Sequence, residues 1–202
     1  MVMENYWTAS DIEINWKAPV IPYSSLAGIP IGAPLYLLEK NLARYVVDEK
    51  NNLYQFEESP VLQLRESIED SGSRYLCFSI YEKSLTNWNL VFDSPDNPSV
   101  ETRALVVSIK ENKVLIVAAW LVDFLDETLG VYRNSYQGKL QHGVKLGDRV
   151  DAMLSITDLE YDSNEELFYP DKNYGGLIVG GAPGSLEDFP DQIILSMRVT
   201  PP

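Results

Sequence analysis

The chain has 202 residues, 45% hydrophobic and 23% charged, the proportions of a soluble globular protein. Its 16 Lys and Arg against 30 Asp and Glu leave a net charge of −14, which repels nucleic-acid phosphates and anionic membranes and excludes both as expected partners. The longest apolar run, Val114 to Val122, stops at Asp123, well short of the roughly 20 residues that a spanning helix needs.

The N-terminal stretch MVMENYWTASDIE lacks the basic start, apolar run and cleavage site of a signal peptide, which predicts a cytoplasmic protein. The first patterned segment is AGIPIGAPLYLLE. Gly28 and Gly32 bracket an alternating apolar pair, as a turn, a short strand and a second turn require. Pro34 sits where a helix start tolerates a missing N–H, ahead of Leu35, Leu37 and Leu38. Short strands follow, separated by the turn clusters DEKNN and EDSGS. Cys77, the single cysteine, lies among Leu76, Phe78 and Ile80 and reads as a core residue.

Between residues 83 and 142 the chain changes character. NLVFDSPDNPS reads as a strand and then a loop, because the prolines at 95 and 98 stop it. ALVVSIKENKVLIVAAW reads as a hairpin, two Val- and Ile-rich runs around the polar turn Lys110-Glu111-Asn112-Lys113. LVDFLDETLGVY fits a short helix ending at Gly130 or a broken strand equally well.

HGVKLGDRVDAML then repeats the shape of the first segment, with Gly143 and Gly147 over Gly28 and Gly32 at a fixed offset of 115 residues. Asp148 is a plausible N-cap for a short helix whose Val150, Met153 and Leu154 share one face. At the same offset Leu53 and Tyr54 fall over Phe168 and Tyr169 and Leu62 and Leu64 over Leu177 and Val179, and LCFSIY runs against QIILSM one residue further on. The sum is one domain over residues 1–202 in the α+β class. It is mainly antiparallel β with a few short helices, built from two related halves, 28–82 and 143–199, that an internal duplication would produce.

Catalytic and metal motifs are missing. One His and one Cys cannot assemble the usual zinc sites, and no nucleophile elbow, Walker loop or dinucleotide fingerprint occurs. GGLIVGGAPG is followed by SLEDFPD, whose carboxylates oppose phosphate, so it reads as a strand with tight turns. A calcium loop starting at Asp158 needs glycine sixth and glutamate twelfth, where Ser163 and Tyr169 stand. The chain is therefore expected to be a non-enzymatic protein without cofactor or metal. The competing reading is an enzyme or small-ligand-binding protein with a pocket between the halves, using carboxylates such as Asp123 and Asp126.

The strongest functional lead is acidic. Asp158, Glu160, Asp162, Glu165, Glu166, Asp171, Glu187, Asp188 and Asp191 are opposed over their span only by Lys172, and Tyr161 and Phe189 are interleaved with them. Carboxylates speed encounter with a cationic surface and aromatics anchor the contact, so these eleven residues are the candidate protein-binding set. YQGKLQHGVKLGDRVDAML, DLEYDSNEELFYP, YGGLIVGG and DQIILSMRV together resemble segments of bacterial immunity proteins paired with polymorphic or contact-dependent growth inhibition toxins. Tyr136, Gly138, Lys139 and Leu140 supply the lead-in of that likeness, which covers about the last third of the chain. It implies binding and neutralising a cognate toxin domain, often a basic nuclease, in the cytoplasm. It carries over no toxin-binding residue.

Overall fold

The hairpin at the middle of the chain organises everything around it. In the computed structural model, which describes residues 12–81, 103–122, 124–126, 130–132, 134–171 and 173–202, β7 (Arg103–Lys110) and β8 (Lys113–Trp120) pair antiparallel. Glu111 and Asn112 take φ of +53° and +58°, the two left-handed residues that a tight hairpin turn requires. The two strands form the centre of a ten-stranded antiparallel sheet.

From β7 the sheet continues through β6 (Arg74–Ile80), β5 (Leu62–Ile68), β4 (Leu53–Tyr54) and β3 (Val46–Asp48). From β8 it continues through β14 (Ser196–Val199), β13 (Leu177–Gly180), β12 (Leu167–Pro170) and β11 (Leu159–Asp162). Strand order is thus the same read outward from either side of the hairpin. Each half begins with a glycine turn and a helix. In the first, Gly28 and Gly32 precede α1 (Leu35–Leu42); in the second, Gly143 and Gly147 precede a 3-10 helix, Val150–Ser155. All four glycines have positive φ, between +74° and +91°, the conformation that favours glycine. A 3-10 turn, Ala43–Tyr45, follows α1, and there are two small hairpins, β1 (Ser25–Leu26) with β2 (Ile29–Pro30) and β9 (Phe124–Asp126) with β10 (Gly130–Tyr132). The second decides between helix and strand for LVDFLDETLGVY in favour of strands.

One apolar core lies on a single face of the sheet. Leu62, Phe78, Leu105, Val117, Met197, Val179 and Phe168 contribute from successive strands, and Leu37, Leu38, Val150 and Met153 close over them from the helices. Pro34 precedes α1 with φ −62° and ψ 137°, as a helix entry allows. The Tyr136 lead-in is a lock. Its ring packs edge-on against Trp16 at 6.0 Å, and its hydroxyl donates to the Ala18 carbonyl and accepts from the Ala27 amide. Gly138 has no room for a side chain, because a Cβ would collide with the Tyr136 hydroxyl and the Ala18 carbonyl. Burial drives the Tyr136 phenol pKa well above its usual range.

The structure corrects several sequence expectations. Cys77 is half-buried on the outer face, because inward Leu76 and Phe78 force the residue between them outward. Asp148 does not cap the second helix. It accepts from the Lys145 amide at 3.0 Å and from Lys145 Nζ at 2.7 Å, closing the glycine turn instead. Leu154 points outward, 53% exposed. Tyr54 and Tyr169, equivalent by offset, lie on opposite faces. Tyr54 pairs with core-facing Leu62 and meets Phe78 at 5.7 Å, whereas Tyr169 pairs with Glu160 on the outer face. A one-residue slip in register is enough to do this. The fixed offset also fails after β13. The β13–β14 connection runs over 181–195 where β5 and β6 are joined by 69–73, so β14 starts later than QIILSM implied. NLVFDSPDNPS and Asp123 lie outside the described residues.

Candidate functional site

The acidic residues are distributed over two structures, the β11–β12 hairpin at one edge of the sheet and the 181–195 connection. Register places the hairpin tip beside that connection, because Leu167 pairs with Gly180 and Gly180 with Ser196. Asp162, Glu165 and Glu166 therefore share one end of the sheet with the loop that carries Glu187, Asp188, Phe189 and Asp191. Asp158 and Asp171 pair with each other at the opposite end of the hairpin, through a 3.2 Å bond from the Asp171 amide to the Asp158 carbonyl. Glu160 lies between the two ends, exposed on the outer face opposite Tyr169.

Several of these acids also build the local backbone. Asp162 Oδ1 accepts from the Asn164 and Glu165 amides at 2.7 and 3.2 Å, which shapes the tip and leaves Glu166 at φ +56°. Asp171 accepts from the Asn173 amide at 2.8 Å in the same way. Asp188 accepts from the Ser185 hydroxyl at 2.9 Å, and Asp191 pairs with Arg149 at 2.6 Å. Arg149 also holds Asp151, and this pairing lowers the Asp151 carboxyl pKa. Glu187 is exposed, and Phe189 is 50% exposed with its ring over Gly184. Tyr161 turns inward: its ring packs on buried Phe168 at 4.9 Å. Of the two aromatics picked from sequence, only Phe189 presents a free apolar surface at the acidic end.

Two residues outside the eleven candidates hold this end together, Gln192, which carries no charge or aromatic ring to mark it, and Tyr169, one of the aromatics interleaved with the acids. Buried Gln192 donates from Nε2 to the carbonyls of Gly184, Ser185 and Phe189 at 3.1, 3.2 and 3.1 Å, so one amide fixes the loop under Phe189. Tyr169 donates its hydroxyl to Glu165; burial first, then that bond and the Glu165 charge, push its phenol up to about 12.

A groove of about 490 Å³ lies elsewhere, within the first half between α1 and strands β3 to β6. Arg74 spans it, pairing with Glu39 at 2.9 Å and Glu66 at 2.8 Å. Among the described residues, no group of three or more His, Cys, Asp and Glu side chains gathers as metal ligands would. No described helix is long and apolar enough to cross a membrane.

No family model matches the chain, and no curated protein matches it. Among solved structures it is similar to a cysteine-rich secretory protein from Staphylococcus aureus subsp. aureus Mu50, with a TM-score of 0.31 and 12% identity. That match covers 95% of this chain and 50% of the other, so the chain spans half the length of that protein.

Proposed function

We propose that this chain is a non-enzymatic immunity protein that binds and neutralises a basic toxin domain in the cytoplasm. One observation carries the reading. The strand register gathers Asp162, Glu165 and Glu166 with Glu187, Asp188 and Asp191 at one end of the sheet, where exposed Phe189 stands among them. A nuclease must attract phosphates, so a carboxylate-rich end can occupy the same cationic groove. Phe189, fixed from beneath by Gln192, supplies a preorganised apolar anchor at the centre of the charge. The likeness of the last third of the chain to immunity proteins agrees with this reading.

The test is a pull-down from the native host with the tagged full chain, followed by mass spectrometry. A basic toxin domain should be recovered, and a variant reversed at Asp162, Glu165 and Glu166 should lose it. Recovery of the same protein by the reversed variant, or of acidic partners alone, overturns the proposal.

A further inference from the structure

A ten-stranded open sheet has two edges, and the two are built differently. At β3 the ladder shifts register between Val46 and Asp48, an irregularity that twists an edge away from further pairing. At β11 the pairing with β12 is unbroken over Leu159, Glu160, Tyr161 and Asp162. Asp158 belongs to a hydrogen-bonded pair, since its carbonyl receives the Asp171 amide. Such pairs alternate along an antiparallel ladder, so Glu160 and Asp162 also bond to β12 while Leu159 and Tyr161 turn their N–H and C=O groups outward. Pro170, opposite Leu159, has no N–H to give, which agrees with this phase. Those outward groups have no hydrogen-bond partner among the described residues.

We infer that the β11 edge receives an extended basic segment of the partner as an eleventh, added strand. This rests on the proposal that the partner is a basic protein. The side chains decide between occupants. Leu159 and Tyr161 point into the core, and Glu160 and Asp162 point to the outer face, beside the Glu165 and Glu166 tip. A second copy of this chain would bring Glu160 and Asp162 against like charges, which opposes edge-to-edge pairing. A strand with Lys or Arg at alternate positions meets those carboxylates across the new ladder and satisfies the outward amides at once.

Amide exchange of Leu159 and Tyr161, read by NMR on the whole protein, tests this directly. The probe is a synthetic peptide of alternating lysine and valine, compared with the same peptide N-methylated throughout, which keeps the charge and removes every backbone donor. The unmodified peptide should slow exchange at both amides about fivefold or more, and the methylated one should not. Leu159→Pro removes one outward donor and should weaken binding by roughly fivefold, whereas Leu159→Ala controls for the lost side chain and should keep it. Equal binding of the two peptides, or protection confined to other amides, overturns the inference. So does protection that rises with protein concentration alone, since a second copy then occupies the edge. The peptide is no toxin, so a failed pull-down leaves this result standing. Conversely, a recovered basic toxin that leaves both amides unprotected refutes the added strand alone.

Discussion

Gly28 and Gly143 open the same motif and have nearly the same backbone angle, +74° and +91°, yet their substitution by alanine should have unequal cost. At Gly143 nothing lies within 4 Å of a new Cβ, so the variant bears only the left-handed penalty of an L-residue. That is about 1 kcal/mol after allowing for the stiffer unfolded chain. At Gly28 the Cβ falls well inside the contact distance of the Glu13 backbone carbonyl, which no rotamer change relieves. The segment must lift away. Doing so strains the 3.2 Å bond from the Asn15 amide to the Ala27 carbonyl and unseats Ile14 and Trp16, which are buried to within 1%. One hydrogen bond and partial loss of apolar burial bring the total to about 3–4 kcal/mol. Urea unfolding followed by tryptophan fluorescence measures both, and the difference of roughly 2–3 kcal/mol corresponds to a Tm gap of about 4–12 °C at this chain length. Equal losses at the two positions would show that the segment carrying Glu13 is not seated on the first glycine turn.

Reversing Asp158, Glu160, Asp162, Glu165 and Glu166 should slow association with a basic toxin far more than it alters the fold, since loss of the Asp162 bonds loosens the hairpin tip alone. In surface plasmon resonance the slowing should fade as salt shortens the Debye length to about 3 Å at 1 M; an on-rate indifferent to both charge and salt moves the binding face elsewhere. Phe189→Ala should instead speed dissociation, with a loss on the order of 2 kcal/mol, and an unchanged off-rate removes Phe189 as an anchor. Because burial raises the Tyr136 pKa, its contribution to stability is complete below the unfolded value of about 10 and is lost as pH climbs above it. Denaturation midpoints should therefore fall less steeply between about pH 9 and 11 in Tyr136→Phe than in the parent, and equal slopes would contradict the buried phenol. Glu165→Gln removes the charge beside Tyr169, so the phenol should titrate below the parent's value of about 12 while burial still holds it above 10, read by NMR of labelled tyrosine; an unmoved titration breaks the Tyr169–Glu165 link.

Local chemistry was legible without coordinates. Positive φ favours glycine, and the turns at Gly28, Gly32, Gly143 and Gly147 are where the spacing placed them. The central hairpin followed from two β-branched runs around a polar turn, and the mainly antiparallel class followed from many short alternating segments. Even the facing of Cys77 was written in the alternation of Leu76, Phe78 and Ile80, although its apolar neighbours suggested the core. These features depend on a residue and the few beside it, so the sequence by itself determined them.

What touches what across the sheet has no such local signature. Tertiary structure decided that Tyr54 faces the core and Tyr169 the outside, since one slipped rung exchanges faces and no local pattern counts rungs. It also decided that Asp162 and Asp191 share an end while Asp158 and Asp171 lie at the other, because pairing order and the longer 181–195 connection set those positions. The acids could be read as a stretch of charge but not as a surface. The segment through Glu13 crosses Gly28 and none of the described chain crosses Gly143 in the same way, so two turns with the same glycine spacing differ in the space around them. Such contacts are made by residues far apart in the chain, and they exist only once the whole sheet has closed on its core.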